Sequence, residues 1–355
     1  MDSRHLEYAL DLHAALPAAV NLPWSPYSVA SALGLAASGA RGPTRDELLA
    51  VLARGESLDA LARLLSGAAR PAEAEATVAN TLWMRAGSNI RDEFAQTVLS
   101  WPGGAARTTD FEHDPEGSRQ KINNMAEQET RGLIKDLLPP GAVHDRTGSV
   151  IVNALYLRVA WQNPFEEHRT APAAFQAPSG TRDVPTMRLQ ENLRYGSADG
   201  WQLVTLPTPG DIAVDVVLPD GSDATAPPAA TLAALHAESR SRKVDLALPR
   251  FRVEATLSLV EPLRTVGVAT AFDPVNADFS GIVAEPMYLE SAVHKAVLRV
   301  DEHGFEGAAA TALSFRLTSI DLSRPVPFHV DRPFLVLVRN TRTRAIYFLA
   351  RIVEP

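Results

Sequence analysis

The order in which helical and strand-like segments follow one another limits the folds open to this 355-residue chain more than any other feature. Segments before residue 150 carry mostly apolar positions at helical spacing, whereas strand-like runs dominate after it. The two kinds of segment do not alternate, so a parallel sheet built from βαβ units is not expected. We therefore predict an α+β fold. No repeat or linker marks a boundary, which indicates a single domain over residues 1–355.

Eight segments carry the signals of helices. The clearest start is at Ser25, a residue type that caps helices, followed by Pro26, which fits the first helical position. A second start lies at Thr44, where Glu47 three residues later completes a capping box. The predicted helices span 4–16, 27–38, 44–52, 58–65, 91–99, 117–130, 226–237 and 257–266.

Most strand signals lie in the second half of the chain. The run 150–159 is almost continuously apolar, which is typical of a strand buried on both faces. Segments 202–206 and 212–218 are joined by the turn 207–211, as in a hairpin. The predicted strands span 76–84, 150–159, 188–197, 202–206, 212–218, 243–254, 287–302 (as one long strand or two), 334–338 and 346–353.

Charge and composition exclude several classes of protein. The formal net charge is −8 and no basic stripe occurs, so neither nucleic acid nor a heparin-like polyanion is expected as a partner. The chain has no cysteine, which removes disulfides and thiolate metal sites. The first residues lack the apolar core of a signal peptide, and no run is long enough to span a membrane, so no membrane contact is expected.

Signatures of catalysis and cofactor binding are missing from the sequence. Gly34, Gly39 and Gly42 look like a phosphate loop, but Ala40 stands where the lysine is needed and the segment ends a helix. Nine histidines occur without a paired metal-ligand spacing, and there is no G-x-S-x-G elbow. His294 lies in an apolar strand, where a hydrogen-bonded core histidine is expected. We predict no cofactor, metal or catalytic residue, although a Ser-His-Asp triad assembled only in space stays open.

Residues 300–319 have a strand-like pattern, but the segment that follows them is typical of an exposed loop. Over residues 305–317 a period of two places small or apolar residues on one face, which is typical of a strand buried on one side. A proline-containing segment at 325–327 follows, as in an exposed connection. The alanine run within the stretch also fits a helix or a plain loop, so local propensity alone does not decide between them.

Motifs distributed over the whole chain resemble the serpin family, and among its members the short bacterial ones. Residues 21–33 resemble the family pattern N-x-F-x-S-P-x-S-x-x-x-A-L. Residues 152–161 (VNALYLRVAW) are similar to the third strand of its central sheet, and residues 302–304 (EHG) resemble its hinge. Further similar segments are 122–123 with 130–134, 164–165, 248–253, 277–282, 294–296 and 332–334.

The resemblance implies an α+β fold with three β-sheets, about eight or nine helices and an exposed reactive-centre loop. It also implies a mode of action in which a serine protease attacks this loop and forms an acyl-enzyme. The cleaved loop then enters the central sheet as a new strand and deforms the attached protease before water completes hydrolysis. The native state is accordingly metastable, because backbone groups that can pair in the sheet are held in the loop.

Two counts locate the bond that the protease is expected to cut. Family spacing from the hinge residue Glu302 leads to the Thr318–Ser319 bond, whereas counting back from residues 333–334 leads to Leu322–Ser323. The period of two breaks near 318–319, and an inserting segment needs its phase only up to the cut. The candidates in order are therefore Thr318–Ser319, Leu317–Thr318 and Leu322–Ser323. The apolar neighbours of the first bond indicate a chymotrypsin-, elastase- or subtilisin-like target.

The resemblance also assigns the hinge that precedes the loop. Of the positions expected to face inward after insertion, Gly307, Ala309 and Thr311 are small, which permits burial without a clash. Phe305 stands where the family usually has Thr or Ser, and although it is apolar, its bulk is expected to slow the first step of insertion. The expected hinge residues are Glu302, Gly304, Phe305, Glu306, Gly307, Ala308, Ala309, Ala310 and Thr311.

Five further residues match positions around the central sheet of the family. Ser25, Ser28, Asn153 and His294 match a polar cluster beneath the sheet, where its strands part. Such a cluster serves stability alone or also takes part in gating the sheet, and both interpretations stay open. Trp161 matches the position at the top of the sheet where the loop first enters.

We therefore expect a suicide-substrate inhibitor of serine proteases that is monomeric, has no cofactor and is not an enzyme. The helix that binds glycosaminoglycans in the family is shortened between Ser66 and Ala76, so no heparin-like activator is expected. Two alternatives remain open, namely a non-inhibitory binding or chaperone protein of the same fold, and a hydrolase. The sequence leaves the compartment open between cytoplasm and secretion, and it does not name the natural target.

Overall fold

The computed structural model describes residues 3–221, 226–305 and 324–355, which form eight α-helices, two short 3₁₀ helices and fifteen strands. The α-helices are α1 (Ser3–Ala15), α2 (Pro26–Gly39), α3 (Gly42–Leu52), α4 (Leu58–Ala68), α5 (Asp92–Val98), α6 (Pro115–Glu129), α7 (Ala229–Glu238) and α8 (Val260–Thr265). The strands are β1 (Leu22–Trp24), β2 (Glu75–Arg85), β3 (Gly104–Thr109), β4 (Ser149–Ala160), β5 (Ala171–Ala177), β6 (Gly180–Ala198), β7 (Trp201–Pro207), β8 (Ile212–Pro219), β9 (Arg240–Pro249), β10 (Phe251–Ser258), β11 (Ser291–Val300), β12 (Gly304–Phe305), β13 (Val326–His329), β14 (Phe334–Asn340) and β15 (Ile346–Ile352).

A six-stranded sheet in the order β10-β11-β12-β4-β2-β3 forms the centre of the fold, and we call it the central sheet. Its middle strand β4 is buried along nearly its whole length, as the apolar run 150–159 predicted. Helix α6 covers one face, where Ile122 packs in a cluster with Trp83 and Val152. Helix α2 packs against β2 and β4 from the other face, because alternate residues of a strand point to opposite sides.

A nine-stranded sheet runs in the order β1-β15-β14-β8-β7-β6-β9-β13, with β5 paired to β6. Strand β6 is 19 residues long. Its first part pairs with β5 and its last part with β7, and residues 186–195 of β6 pair with β9. Two of the three expected sheets are therefore hydrogen-bonded into one through β6 and β9. The α+β class is confirmed.

Helix α2 begins as predicted and lies between the two sheets. The Ser25 hydroxyl accepts a hydrogen bond from the backbone N–H of Ser28 at 3.0 Å, and Pro26 is the first helical residue. Almost all residues of α2 are buried, since it also packs against β15 of the nine-stranded sheet. The start of α2 is thus held at a fixed position beneath the central sheet.

The capping box predicted at Thr44 is wrong. Helix α3 already begins at Gly42 and has no side-chain cap. The Glu47 carboxylate instead accepts hydrogen bonds from the backbone N–H groups of Ala269 and Thr270 at 2.8 and 2.7 Å. A contact with a segment 222 residues later therefore replaces the local one.

The segment predicted as one strand at 243–254 is two strands in different sheets. Strand β9 belongs to the nine-stranded sheet and β10 to the central sheet. Between them, the backbone N–H of Arg250 donates to the carbonyl of Pro185 at 2.8 Å. Because β10 continues to Ser258, the helix predicted from residue 257 is reduced to α8, which begins at Val260.

The main apolar core lies between the two sheets and includes Trp24, Tyr27, Phe334 and Tyr347. A smaller cluster lies beneath α6. Within the described ranges, no helix combines the length and the apolar character needed to cross a membrane.

Candidate functional site

The hinge segment already forms part of the central sheet. Strand β11 ends at Val300, the chain turns, and β12 returns between β11 and β4. Phe305 pairs with Val300 of β11 on one side and with Val159 of β4 on the other. Gly304 pairs with Ala160. The first two residues after the turn are therefore inserted in the sheet.

The turn before β12 is fixed by backbone hydrogen bonds. The Asp301 carboxylate accepts from the N–H groups of His303 and Gly304 at 3.0 and 3.3 Å. The Trp161 indole donates to the Asp301 carbonyl at 2.8 Å, so Trp161 lies beside the turn that precedes β12. A Cβ atom on Gly304 would lie 2.2 Å from the Val159 carbonyl oxygen, so this close approach requires glycine.

The side chain of Phe305 packs in the main apolar core and holds β12 in place. Its side chain is 1% exposed, and its ring lies 5.3 Å from the ring of Phe348 on β15. The expectation that Phe305 slows the first step of insertion is therefore revised, because its bulk is already buried. The remaining hinge residues Glu306, Gly307, Ala308, Ala309, Ala310 and Thr311, and the candidate bonds at Leu317, Thr318, Ser319, Leu322 and Ser323, lie outside the described residues.

Beyond Phe305, two facing strand edges of the central sheet have no ladder partner between them among the residues that the structure describes. Strands β4 and β11 pair directly only from Ser291↔Val150 to His294↔Asn153. In the described chain, residues 154–158 of β4 pair only with β2, and residues 295–299 of β11 pair only with β10. We call these facing edges the slot. Their open N–H and C=O groups can accept one further strand.

A buried polar cluster lies at the end of the slot where His294 pairs with Asn153, and we call this the lower end. The His294 Nε2 atom accepts a hydrogen bond from the Ser25 N–H at 3.0 Å, so Nδ1 carries the ring proton and lies 3.2 Å from Asn153 Oδ1. Asn153 Nδ2 donates to the Ser28 carbonyl at 2.8 Å and also to Asn80 Oδ1. The four predicted residues are therefore in contact, and Asn80 is a fifth member that the sequence analysis missed.

The electrostatics of the polar cluster follow from burial. His294 is 1% exposed, and burial lowers its pKa to about 4, so the ring is neutral at pH 7. The neutral ring can both accept from Ser25 and donate to Asn153. Protonation would place a charge in a site that holds no carboxylate among these contacts, and the hydrogen bond from Ser25 would be lost.

Polar contacts between side chains hold the turn that precedes β12. Glu302 is buried, accepts from the Thr170 hydroxyl at 2.7 Å and lies 3.6 Å from the Arg250 guanidinium. His303 Nε2 lies 3.0 Å from Glu167. These partners come from segments that the sequence analysis did not connect with the hinge. They keep the start of β12 in register with β4 and β11.

Within the described residues, the central sheet thus has a slot between β4 and β11, and the short strand β12 of the hinge begins beside it. The model of the family described as "Serpin (serine protease inhibitor)" matches residues 4–355. The chain belongs to the serpin family, many of whose members inhibit serine proteases.

Relatives and solved structures agree with this family. Serpin-Z2B of Oryza sativa subsp. japonica is 32% identical over 94% of this chain and 91% of its own length. An uncharacterized serpin-like protein of Thermococcus kodakarensis is 32% identical over 94% of this chain and 81% of its own. The structure of human thyroxine-binding globulin has a TM-score of 0.87 and 26% identity, covering 99% of this chain and 98% of that one. Arabidopsis AtSerpin1 in its native stressed conformation has a TM-score of 0.86 at 24% identity over 100% and 99% of the two chains, and it shows the shared fold.

Proposed function

We propose that this chain is a suicide-substrate inhibitor of serine proteases with chymotrypsin-, elastase- or subtilisin-like specificity. The observation that supports it most strongly is the slot, whose edges on β4 and β11 begin directly below the inserted residue Phe305. A strand that continues from Phe305 has open backbone partners on both sides. In this proposal the protein acts as a monomer, without a cofactor or a heparin-like activator; its acidic net charge supports the last point.

The chemistry of the proposed reaction is that of an interrupted hydrolysis. The protease serine attacks the carbonyl carbon of Thr318, and an ester forms as the peptide bond to Ser319 breaks. The leaving amine takes a proton and becomes the new N-terminus at Ser319. The residues from 306 to 318 are now free at one end. In the register of β12, residues 306–310 can pair along the slot, and the residues after them can insert only as the direct pairs from Ser291↔Val150 to His294↔Asn153 separate. The protease, held by the ester, is carried with the end of the inserting strand.

The free energy for this movement comes from backbone pairing. Each net intramolecular hydrogen bond contributes roughly 1 kcal/mol, so a segment of about a dozen residues gains on the order of 10 kcal/mol. The polar cluster at the lower end keeps β4 and β11 paired until the strand arrives, because His294 and Asn153 stand at their last direct pair. The inhibitor works if insertion is faster than attack of water on the ester.

Incubation with chymotrypsin tests the proposal. We expect a covalent complex that survives denaturing electrophoresis, together with a released C-terminal peptide whose mass corresponds to residues 319–355. A peptide beginning at Ser323 would move the cut to the Leu322–Ser323 bond and leave the mechanism intact. Complete cleavage with free, active protease and no complex would contradict the inhibitor function.

A second candidate is a non-inhibitory binding protein of the same fold. The likeness to thyroxine-binding globulin, whose name states that it binds thyroxine, favours it. Such a protein would be cut by chymotrypsin without forming the covalent complex, so the same experiment separates the two functions.

A further inference from the structure

A cavity of about 650 Å³ lies beside the hinge, and the proposed inhibition does not use it. It is bounded by the end of β11, the beginning of β10 and the segment 170–172. Three arginines contribute to its lining: Arg250, Arg252 and Arg299. Its size lies within the range of small-molecule sites, which is roughly 300–1,000 Å³.

Two of these arginines stand directly opposite each other. Arg252 on β10 and Arg299 on β11 form a cross-strand pair. Side chains in such pairs have Cβ atoms about 4.5–5.5 Å apart, and like charges at this distance are destabilising. Both residues are exposed on the outer face of the sheet. The pair therefore favours the presence of an anion between the two guanidinium groups.

The carboxylates that line the cavity already have other partners. Glu302 accepts from Thr170 at 2.7 Å, and Glu167 lies 3.0 Å from His303. Asp301 binds two backbone N–H groups through Oδ1 and lies 3.1 Å from one nitrogen of Arg299 through Oδ2. Within the described part of the chain, no carboxylate forms an ion pair with Arg252, although Glu254 follows it on the same face.

The arginines retain many unused donors. A guanidinium group has five N–H donors in a planar fork, and Arg299 gives only its Asp301 contact among the described residues. The Arg250 guanidinium lies 3.6 Å from Glu302, beyond an ordinary hydrogen bond, and about half of its side chain is exposed. Tetrahedral oxyanions suit such forks because two oxygens can be bound side by side.

We propose that this cavity binds a phosphate group carried on a small organic molecule. Arg252 and Arg299 bridge the phosphate, and Arg250 is the third cation. A single phosphate fills only part of the cavity, so the remaining volume takes the organic body beside the Thr170 hydroxyl and the Pro172 ring. The site shares Arg299 with the β11 edge of the slot, but the proposed insertion uses only the backbone of that residue, whereas the phosphate is bound by its guanidinium group.

Isothermal titration calorimetry tests this site with orthophosphate and O-phosphoserine as probes, at constant ionic strength set by sodium chloride. We expect both probes to bind, with O-phosphoserine at least as tightly as orthophosphate. Arg252→Gln should weaken both by about tenfold or more, which corresponds to about 1.4 kcal/mol. Arg242→Gln is the matched control, because Arg242 is an exposed arginine seven residues before the end of β9, or roughly 23 Å along the strand.

Absence of binding to the unsubstituted protein would overturn the proposal, and so would equal loss of affinity in both variants. Clearly tighter binding of orthophosphate than of O-phosphoserine would overturn the organic part and assign the site to the free ion. No protease is present in these titrations. Their result is therefore independent of whether the chain is an inhibitor.

Discussion

Phe305→Arg should convert the inhibitor into a substrate that chymotrypsin cleaves without being trapped. Phe305 is already buried between β4 and β11 and packs on Phe348, so an arginine at this position should keep β12 out of the sheet in the native protein. Insertion would then have to begin by burying that charge in the apolar core. An unpaired charge buried there costs about 3–5 kcal/mol. Since each 1.36 kcal/mol changes a rate tenfold, insertion should slow by about 100-fold or more, and hydrolysis of the ester should win.

The measurement is the fraction of cleaved inhibitor that remains covalently bound to chymotrypsin. His303→Arg is the matched control, because His303 is exposed two residues earlier and an arginine there can still contact Glu167. The control should form complex like the unsubstituted protein. A thermal unfolding curve establishes that the Phe305→Arg variant is folded. An unchanged yield of complex from that folded variant would refute the role of Phe305.

Acidification should destabilise the native protein steeply between pH 6.5 and about pH 4.5. Burial lowers the pKa of His294 to about 4 and that of His13 to about 3, the latter with a contribution from Arg351. In the unfolded chain both rings regain the ordinary value of 6.5. The unfolded state thus binds more protons as the pH falls through this window, so the free energy of unfolding decreases.

The slope of the free energy of unfolding against pH distinguishes the contribution of His294 from that of His13. Each buried neutral histidine contributes about 1.4 kcal/mol per pH unit, so both together remove about 5 kcal/mol between pH 6.5 and 4.5. His294→Gln should reduce the slope by about half, whatever its effect on stability at pH 7. His168→Gln serves as the control, because that side chain is 79% exposed. Equilibrium urea unfolding at a series of pH values measures the slope. Equal slopes for the unsubstituted protein and His294→Gln would show that His294 does not titrate as described.

The resemblance to the serpin family assigned four residues of the polar cluster, because the segments that contain them match motifs of that family. Ser25 and Ser28 belong to a helix start with its cap and proline, and Asn153 interrupts an apolar strand. Asn80 was missed although it shows a related signal, a polar amide in the predicted strand 76–84. Its contact with Asn153 depends on the register of β2 and β4, which pair at Asn80↔Asn153.

Periodicity could not predict that the hinge is already paired with the central sheet at Gly304 and Phe305. A period of two shows which side chains share a face of a strand, but it does not show whether the strand is paired. The hinge assignment listed Phe305 among the inward positions, but the burial of its side chain in this structure depends on Val159, Val300 and Phe348, which come from three other strands. The ion pair between Glu302 and Arg250 likewise depends on where β9 ends and β10 begins.

Hydrogen exchange at the slot tests the central claim most directly. Amides at 154–158 of β4 and 295–299 of β11 should be measured in the native protein and in the covalent complex with chymotrypsin. About half of these N–H groups face the slot, because successive groups along a strand point to opposite neighbours. We predict that those amides become strongly protected in the complex, while amides on the outer side that already pair with β2 and β10 change little. Unchanged exchange throughout both segments in a complex with a cleaved loop would contradict insertion between β4 and β11.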